Sequence, residues 1–168
     1  MINFDKIDIE SAKLLKLTKQ EKPSIDVTEI ANRLGINIIR KSLGNDLSGV
    51  LVLKGDNHSV IGIDIAQGPQ RERFTIAHEL GHYILHRKLK STFIDEKITF
   101  TRGNAKGIHE VEANAFAASL LMPKFLLEKN ILSFESKEIG EEQIEELAKE
   151  YKVSNIAMTY RLTNLRLI

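Results

Sequence analysis

The period of the hydrophobic positions changes several times along the chain, and each change marks an element. Ile9 to Leu17 has helical spacing and reads as a short helix. Asp26-Val-Thr-Glu-Ile-Ala-Asn-Arg-Leu-Gly35 reads as a second. There Asp26 stands as N-cap with Glu29 three residues on, the spacing of a capping box, and Gly35 marks a C′ stop. The pattern then turns β-like. Ile36 to Arg40 is β-rich, and Gly49 to Leu53 and Ser59 to Ile65 are strand-like runs. The turn residues Lys54-Gly-Asp-Asn-His58 between these runs predict a hairpin, with Ile61, Ile63 and Ile65 on one buried face. Pro69 suits the first turn of a helix that runs to about Lys88. Residues 90–107 are polar and irregular, with a short strand expected over 97–101. Helical spacing returns over about 109–121, 125–132, 141–151 and 154–165, with Pro123 separating the first two. The predicted class is α+β, a small antiparallel sheet packed with helices.

Composition narrows the function classes. A chain of 168 residues fits one domain, or one with a small appendage. Its 42% hydrophobic and 28% charged residues are those of a folded protein rather than a disordered one. Lys+Arg 24 against Asp+Glu 23 leaves no bulk positive charge for nucleic acid. The absence of cysteine excludes a disulfide scaffold, a thiolate metal site and a cysteine nucleophile, so any metal must use His, Asp or Glu. The first residues lack the apolar segment of a signal peptide, and no apolar run approaches the roughly 20 residues of a membrane helix. A cytoplasmic protein without a membrane partner is expected. There is no linker-like tract or repeat, and a division at 1–138 and 139–168 rests on the change to the last two helices. The sequence carries no signal for an oligomeric state.

The chemistry concentrates in Arg71-Glu-Arg-Phe-Thr-Ile-Ala-His78-Glu79-Leu-Gly-His82-Tyr-Ile-Leu-His86. H-E-x-x-H on a helix puts His78 and His82 on one face at i and i+4, where both ring nitrogens can reach one Zn²⁺. Glu79, next to that face, is placed to act as general acid/base. Ile76, Ala77, Leu80, Ile84 and Leu85 make the rest of the helix apolar and therefore buried, and buried imidazoles need partners. Gly81 costs about 1 kcal/mol in a helix interior, which implies close packing there. His86, eight residues and about 12 Å along the axis from His78, is too far to join them and reads as a helix-end or supporting residue. The extended motif with a third histidine is absent, because Leu85 and Lys88 occupy its glycine and histidine positions.

A third ligand is expected from His109-Glu110-Val-Glu112-Ala-Asn114. Glu110 and Asn114 share a helical face, so Glu110 can bind the metal while Asn114 hydrogen-bonds a ligating histidine. Glu112 points elsewhere by about 200° and is the alternative ligand. Ala113, Ala115, Ala117 and Ala118 let this helix approach closely. His109 and Tyr83 are both candidates to stabilise an oxyanion. Arg71, Arg73, Arg87 and Lys88 read as a solvated rim, and His58 as an exposed turn residue.

At Arg73 to His86 and at Glu110-x-x-Ala-Asn-x-Phe-Ala-Ala-x-Leu-Leu-Met-Pro123 the sequence resembles the ImmA/IrrE family of small bacterial metallopeptidases. The order of elements over roughly residues 25–165 resembles that family as well. The resemblance implies His78, His82 and Glu110 as zinc ligands and Glu79 as general acid/base. Asn114 matches a position that is Asp in some related zinc peptidases, so its support of the ligand would be neutral here. The resemblance further implies cleavage of a helix-turn-helix transcriptional repressor of a mobile element, or of a stress or toxin–antitoxin module.

Gln143 to Leu165 has the pattern of a helix-turn-helix, with Val153 in the turn and Ser154 capping the second helix. A DNA-reading version would present Asn155, Thr159 and Arg161. Glu141, Glu142, Glu145, Glu146 and Glu150 make the first helix acidic and argue against it; packing on the core or gripping a protein is the preferred reading. The alternative to an enzyme is a non-catalytic zinc-containing regulator acting by protein binding or, less favoured, by DNA binding.

Overall fold

Helix α1 (Phe4–Leu17) starts earlier than its apolar pattern because the Asn3 side chain caps it, accepting the Lys6 N–H at 2.9 Å. In α2 (Val27–Arg33) the Asp26 carboxylate accepts the Glu29 N–H at 2.9 Å, as its spacing predicts. The reciprocal half of the capping box is not made: the Asp26 N–H donates to Gln20, and Glu29 turns to Arg33 at 2.6 Å. Gly35 closes the helix in the left-handed region at φ 71°. The computed structural model describes residues 2–44, 47–54, 58–96, 107–134 and 139–168.

Strands β1 (Asn37–Lys41), β2 (Leu47–Val52), β3 (Val60–Asp64) and β4 (Thr92–Glu96) form one sheet in the order β1-β3-β2-β4. The expected hairpin is present as the antiparallel pair β2–β3, with Leu51 opposite Ile61. Residues 55–57 of its turn lie outside the described residues. β4 adds antiparallel to β2, placing Phe93 opposite Leu51. β1 pairs with β3 in parallel, so the small sheet is mixed: β3 inserts between the two strands that precede it. The strand expected over 97–101 lies outside the described residues, and β4 falls just before it. Ile61 and Ile63 are fully buried, whereas Ile65 is exposed because β3 ends at Asp64.

Helix α3 (Pro69–His86) follows with Pro69 at its first position. Then come α4 (Ile108–Leu121), α5 (Lys124–Leu132), α6 (Glu141–Tyr151) and α7 (Asn155–Asn164). One core cluster joins Leu51, Ile61 and Ile63 of the sheet to Ile76 and Leu80 of α3 and Phe116 and Leu120 of α4; it includes Leu147, Tyr151, Met158 and Leu162 of α6 and α7. The tail therefore packs on the same core as the HExxH helix. The Arg73 guanidinium fastens it, donating to the carbonyls of Tyr151, Lys152 and Ile25 at 2.8–2.9 Å, so Arg73 is not a solvated rim residue. Ser154 caps α7 by accepting the Ala157 N–H. Arg161 is buried and donates to the Met122 carbonyl and to Asp8, so it does not lie on the free face a DNA-reading helix would need. Among the described residues no helix is long and apolar enough to cross a membrane.

Candidate metal centre

The i, i+4 spacing of α3 places His78 and His82 on the face that α4 covers. Gly81 permits the close approach. A β-carbon there would stand 3.1 Å from the Cα and carbonyl oxygen of Ala113 and 3.2 Å from Cβ of Phe116. The glycine's helical cost of about 1 kcal/mol is thus offset by contact between the two backbones. Glu110, in the first turn of α4, is brought opposite both histidines.

Three groups converge. Nε2 of His78 and Nε2 of His82 are 3.0 Å apart. The Glu110 carboxylate places Oε2 3.3 Å from the former and Oε1 3.3 Å from the latter. The two histidines are buried, and Glu110 is partly exposed. Hydrogen bonds with His78 and His82 hold the Glu110 carboxyl well below the ordinary glutamate range, against the opposing effect of burial. Burial pushes His82 below its usual 6.5 although Glu110 pulls it up. A charged carboxylate facing an imidazole biased to the neutral form is a donor set that can hold a cation.

The surroundings orient these groups. Nδ1 of His78 lies 3.1 Å from Oδ1 of Asn114, the contact expected of that residue. The His82 ring stacks on Phe93 of β4, with centroids 4.5 Å apart and planes 18° from parallel. Glu79 is fully buried under β2. There Gly49 leaves room, since a β-carbon would stand 2.5 Å from Cγ2 of Thr75 and 2.9 Å from Oε1 of Glu79. Gln67 fastens β2 to α3, donating to the Ser48 carbonyl at 2.6 Å and accepting from the Thr75 hydroxyl at 2.7 Å.

Glu112 does not join His78 and His82. Its carboxylate lies 3.0 Å from Nε2 of His86, whose Nδ1 is 3.0 Å from Nδ1 of His82. His86 is buried and held below 6.5 chiefly by that burial. His109, His86 and Glu112 form a second group with ligand atoms within 4.8 Å of one another. Tyr83, the other oxyanion candidate, lies under the Arg87 guanidinium at 5.2 Å.

A model of the IrrE N-terminal-like domain, a peptidase family, matches residues 31–163. The chain belongs to that family. It is 30% identical over 140 residues to the metallopeptidase ImmA of Bacillus subtilis, covering 83% of this chain and 76% of that one. It is 32% identical over 117 residues to an uncharacterized immunity region protein 2 of Bacillus phage phi105, covering 69% and 70%. With the radiation response metalloprotease IrrE of Deinococcus radiodurans it shares 34% over 108 residues, covering 63% of this chain but only 31% of that protein. A Mycobacterium tuberculosis transcriptional regulator has the same fold at 15% identity, with a TM-score of 0.64 over 95% of this chain and 46% of the other.

In this IrrE-like chain the H-E-x-x-H helix and the helix that carries Glu110 pack against each other, with Glu110 facing His78 and His82. Phe93, Gln67 and the His86–Glu112 pair escaped the sequence reading. The β-rich run Thr92-Phe93-Ile94 was the one local signal for Phe93; the other contacts join residues 8 to 26 positions apart and leave no periodic trace.

Proposed function

We propose that the chain is a zinc-dependent endopeptidase with His78, His82 and Glu110 as ligands and Glu79 as general acid/base. The observation that carries this reading is the convergence of the two imidazole nitrogens on the Glu110 carboxylate. Zinc–ligand distances of about 2.0–2.1 Å at tetrahedral angles put ligand atoms about 3.3 Å apart. Here the two Nε2 atoms are 3.0 Å apart, and each lies 3.3 Å from a different oxygen of the Glu110 carboxylate, Oε2 for His78 and Oε1 for His82. A zinc ion held there supplies Lewis acidity and a reactive nucleophile at neutral pH. Glu79, adjacent to the ligand face and enclosed by Gly49 and Thr75, takes the proton of the attacking water and passes it to the leaving amine nitrogen. Asn114 orients His78 through Nδ1.

The substrate is a protein segment in extended form. β4 is the outermost described strand on the side of the histidines, and its Phe93 touches His82, so a peptide paired along β4 would run past the site. A complex with the substrate bound away from every sheet edge would exclude this placement. The target class is a cytoplasmic helix-turn-helix repressor of a mobile element or stress module; similarity to a phage immunity region protein supports that choice.

The test has two stages. Metal analysis of the purified protein should find about one zinc per chain, with weakened binding in Glu110→Ala. The zinc-loaded chain is then incubated with any helix-turn-helix repressor found encoded beside its gene, and Glu79→Gln should keep zinc but lose cleavage by about 10²-fold or more. Equal repression relief by wild type and Glu79→Gln would replace the enzyme with a non-catalytic zinc-containing regulator. Absence of zinc in the wild type would remove the metal site.

A further inference from the structure

Beyond the three ligands, a line of hydrogen-bonding groups leads away from the site. Nδ1 of His82 meets Nδ1 of His86 at 3.0 Å, and Nε2 of His86 meets Oε2 of Glu112 at 3.0 Å. His82 and His86 are nearly inaccessible, at 1% and 3% exposed, so solvent does not supply alternative partners. A neutral imidazole carries one N–H and one lone pair. A metal on Nε2 of His82 takes that ring's lone pair, so the hydrogen sits on Nδ1. The adjacent Nδ1 of His86 must then accept, which puts the His86 hydrogen on Nε2, pointing at Glu112. An ionised carboxylate only accepts. Each donor in the line meets an acceptor, and one assignment of hydrogens satisfies all of them.

The opposite assignment is self-defeating. A hydrogen on Nδ1 of His86 would need a lone pair on Nδ1 of His82. The His82 hydrogen would then move to Nε2 and point at His78 and Glu110, where it would block a metal. We infer that Glu112, through His86, is a positioning residue that holds His82 in the form whose Nε2 lone pair faces the metal, which rests on the ligand assignment proposed above. His78 is oriented by the neutral amide of Asn114, so the two ligating rings differ in what stands behind them. The carboxylate support expected behind a zinc ligand falls to His82, one imidazole removed.

The same geometry decides what the second grouping does. His86, His109 and Glu112 could also hold a cation. A cation on Nε2 of His86 would take the lone pair that the line requires to be an N–H, and so would turn His82 away from the first site. The loaded protein should therefore hold one metal, with His86 as a hydrogen-bond carrier.

The test measures zinc affinity by chelator competition in wild type, Glu112→Ala and Glu112→Gln, with ¹⁵N NMR of the histidine rings in the loaded protein. The expected result is one zinc in the wild type and His86 protonated on Nε2. Glu112→Ala should bind zinc about 10–100-fold more weakly. Glu112→Gln, which keeps an acceptor oxygen and the side-chain volume, should fall between and report on the pair should the alanine variant fail to fold. Affinity within twofold of wild type in both variants, with wild type zinc-bound, would overturn the positioning role alone. Two zincs per chain with the second lost in Glu112→Gln would overturn it in favour of a second metal site. No zinc in the wild type would overturn the ligand assignment and the positioning role together.

Discussion

Glu79 and Gly49 are packed so closely that a β-carbon on residue 49 would stand 2.9 Å from Oε1 of the carboxylate. The same β-carbon would meet Cγ2 of Thr75 at 2.5 Å, a contact real side chains do not make. Thr75 is held by the Gln67 carbonyl at 2.7 Å, and β2 is held by the Gln67 amide, so neither neighbour yields easily. Gly49→Ala should therefore destabilise the fold by about 1–3 kcal/mol through overpacking. Zinc content should not change, because the proposed ligands His78 and His82 face Glu110 of α4. Urea denaturation with parallel metal analysis checks both, and a wild-type midpoint would show that β2 shifts freely.

A second close approach is at Gly81. Replacement by alanine gains about 1 kcal/mol in helix propensity. The new β-carbon would lie 3.1 Å from the backbone of Ala113, which cannot rotate aside as a side chain could. Overpacking of about 1–3 kcal/mol should win, and the two helices should part slightly. Because Glu110 rides on α4, Gly81→Ala should lose zinc affinity as well as stability. Chelator competition separates the two effects, and unchanged affinity would mean that α4 slides without moving Glu110.

The elements were legible in the sequence wherever the signal is local. Asp26 and Gly35 bound α2, Pro69 opens α3, Ser154 opens α7, and the spacing of His78, Glu79 and His82 is itself a helical property. Pairings between distant segments were not legible. The parallel register of β1 on β3 leaves no mark in either strand, and β4 is five residues long with Phe93 buried and Ile94 exposed. Arg73 and Arg161 resemble surface residues in sequence, yet both end on backbone carbonyls contributed by remote segments. Helical phase favoured Glu110 over Glu112 as the group facing His78 and His82 while leaving Glu112 as the alternative, and the partner of Glu112 was not legible, because His86 lies a full turn beyond the motif.

Asn114 offers a graded test of the support behind His78. Asn114→Ala removes the acceptor 3.1 Å from Nδ1 and should weaken zinc binding about 10–100-fold. Asn114→Asp supplies a charged acceptor at the same place, raises the basicity of the ring, and should bind zinc at least as tightly as the wild type. Weaker binding in Asn114→Asp would indicate that a second carboxylate beside Glu110 repels more than it orients.

Acid should destabilise the metal-free protein in two stages. Burial depresses His82 and His86 below their ordinary 6.5, so in the folded state they stay neutral while the unfolded chain takes up protons. The unfolded state then binds more protons, and stability falls with pH below 6.5 down through the depressed values. Each such histidine contributes a slope of up to about 1.4 kcal/mol per pH unit inside that window. Glu110, depressed below 4.5 by His78 and His82, adds a loss of the same sign only once the pH drops below 4.5. Urea midpoints of the chelator-stripped protein should therefore be flat above pH 7, decline from 6.5, and decline further below 4.5. His86→Phe should make the first decline shallower by removing one titrating ring. A midpoint constant between pH 7 and 5 would show that the buried rings take up protons as readily folded as unfolded.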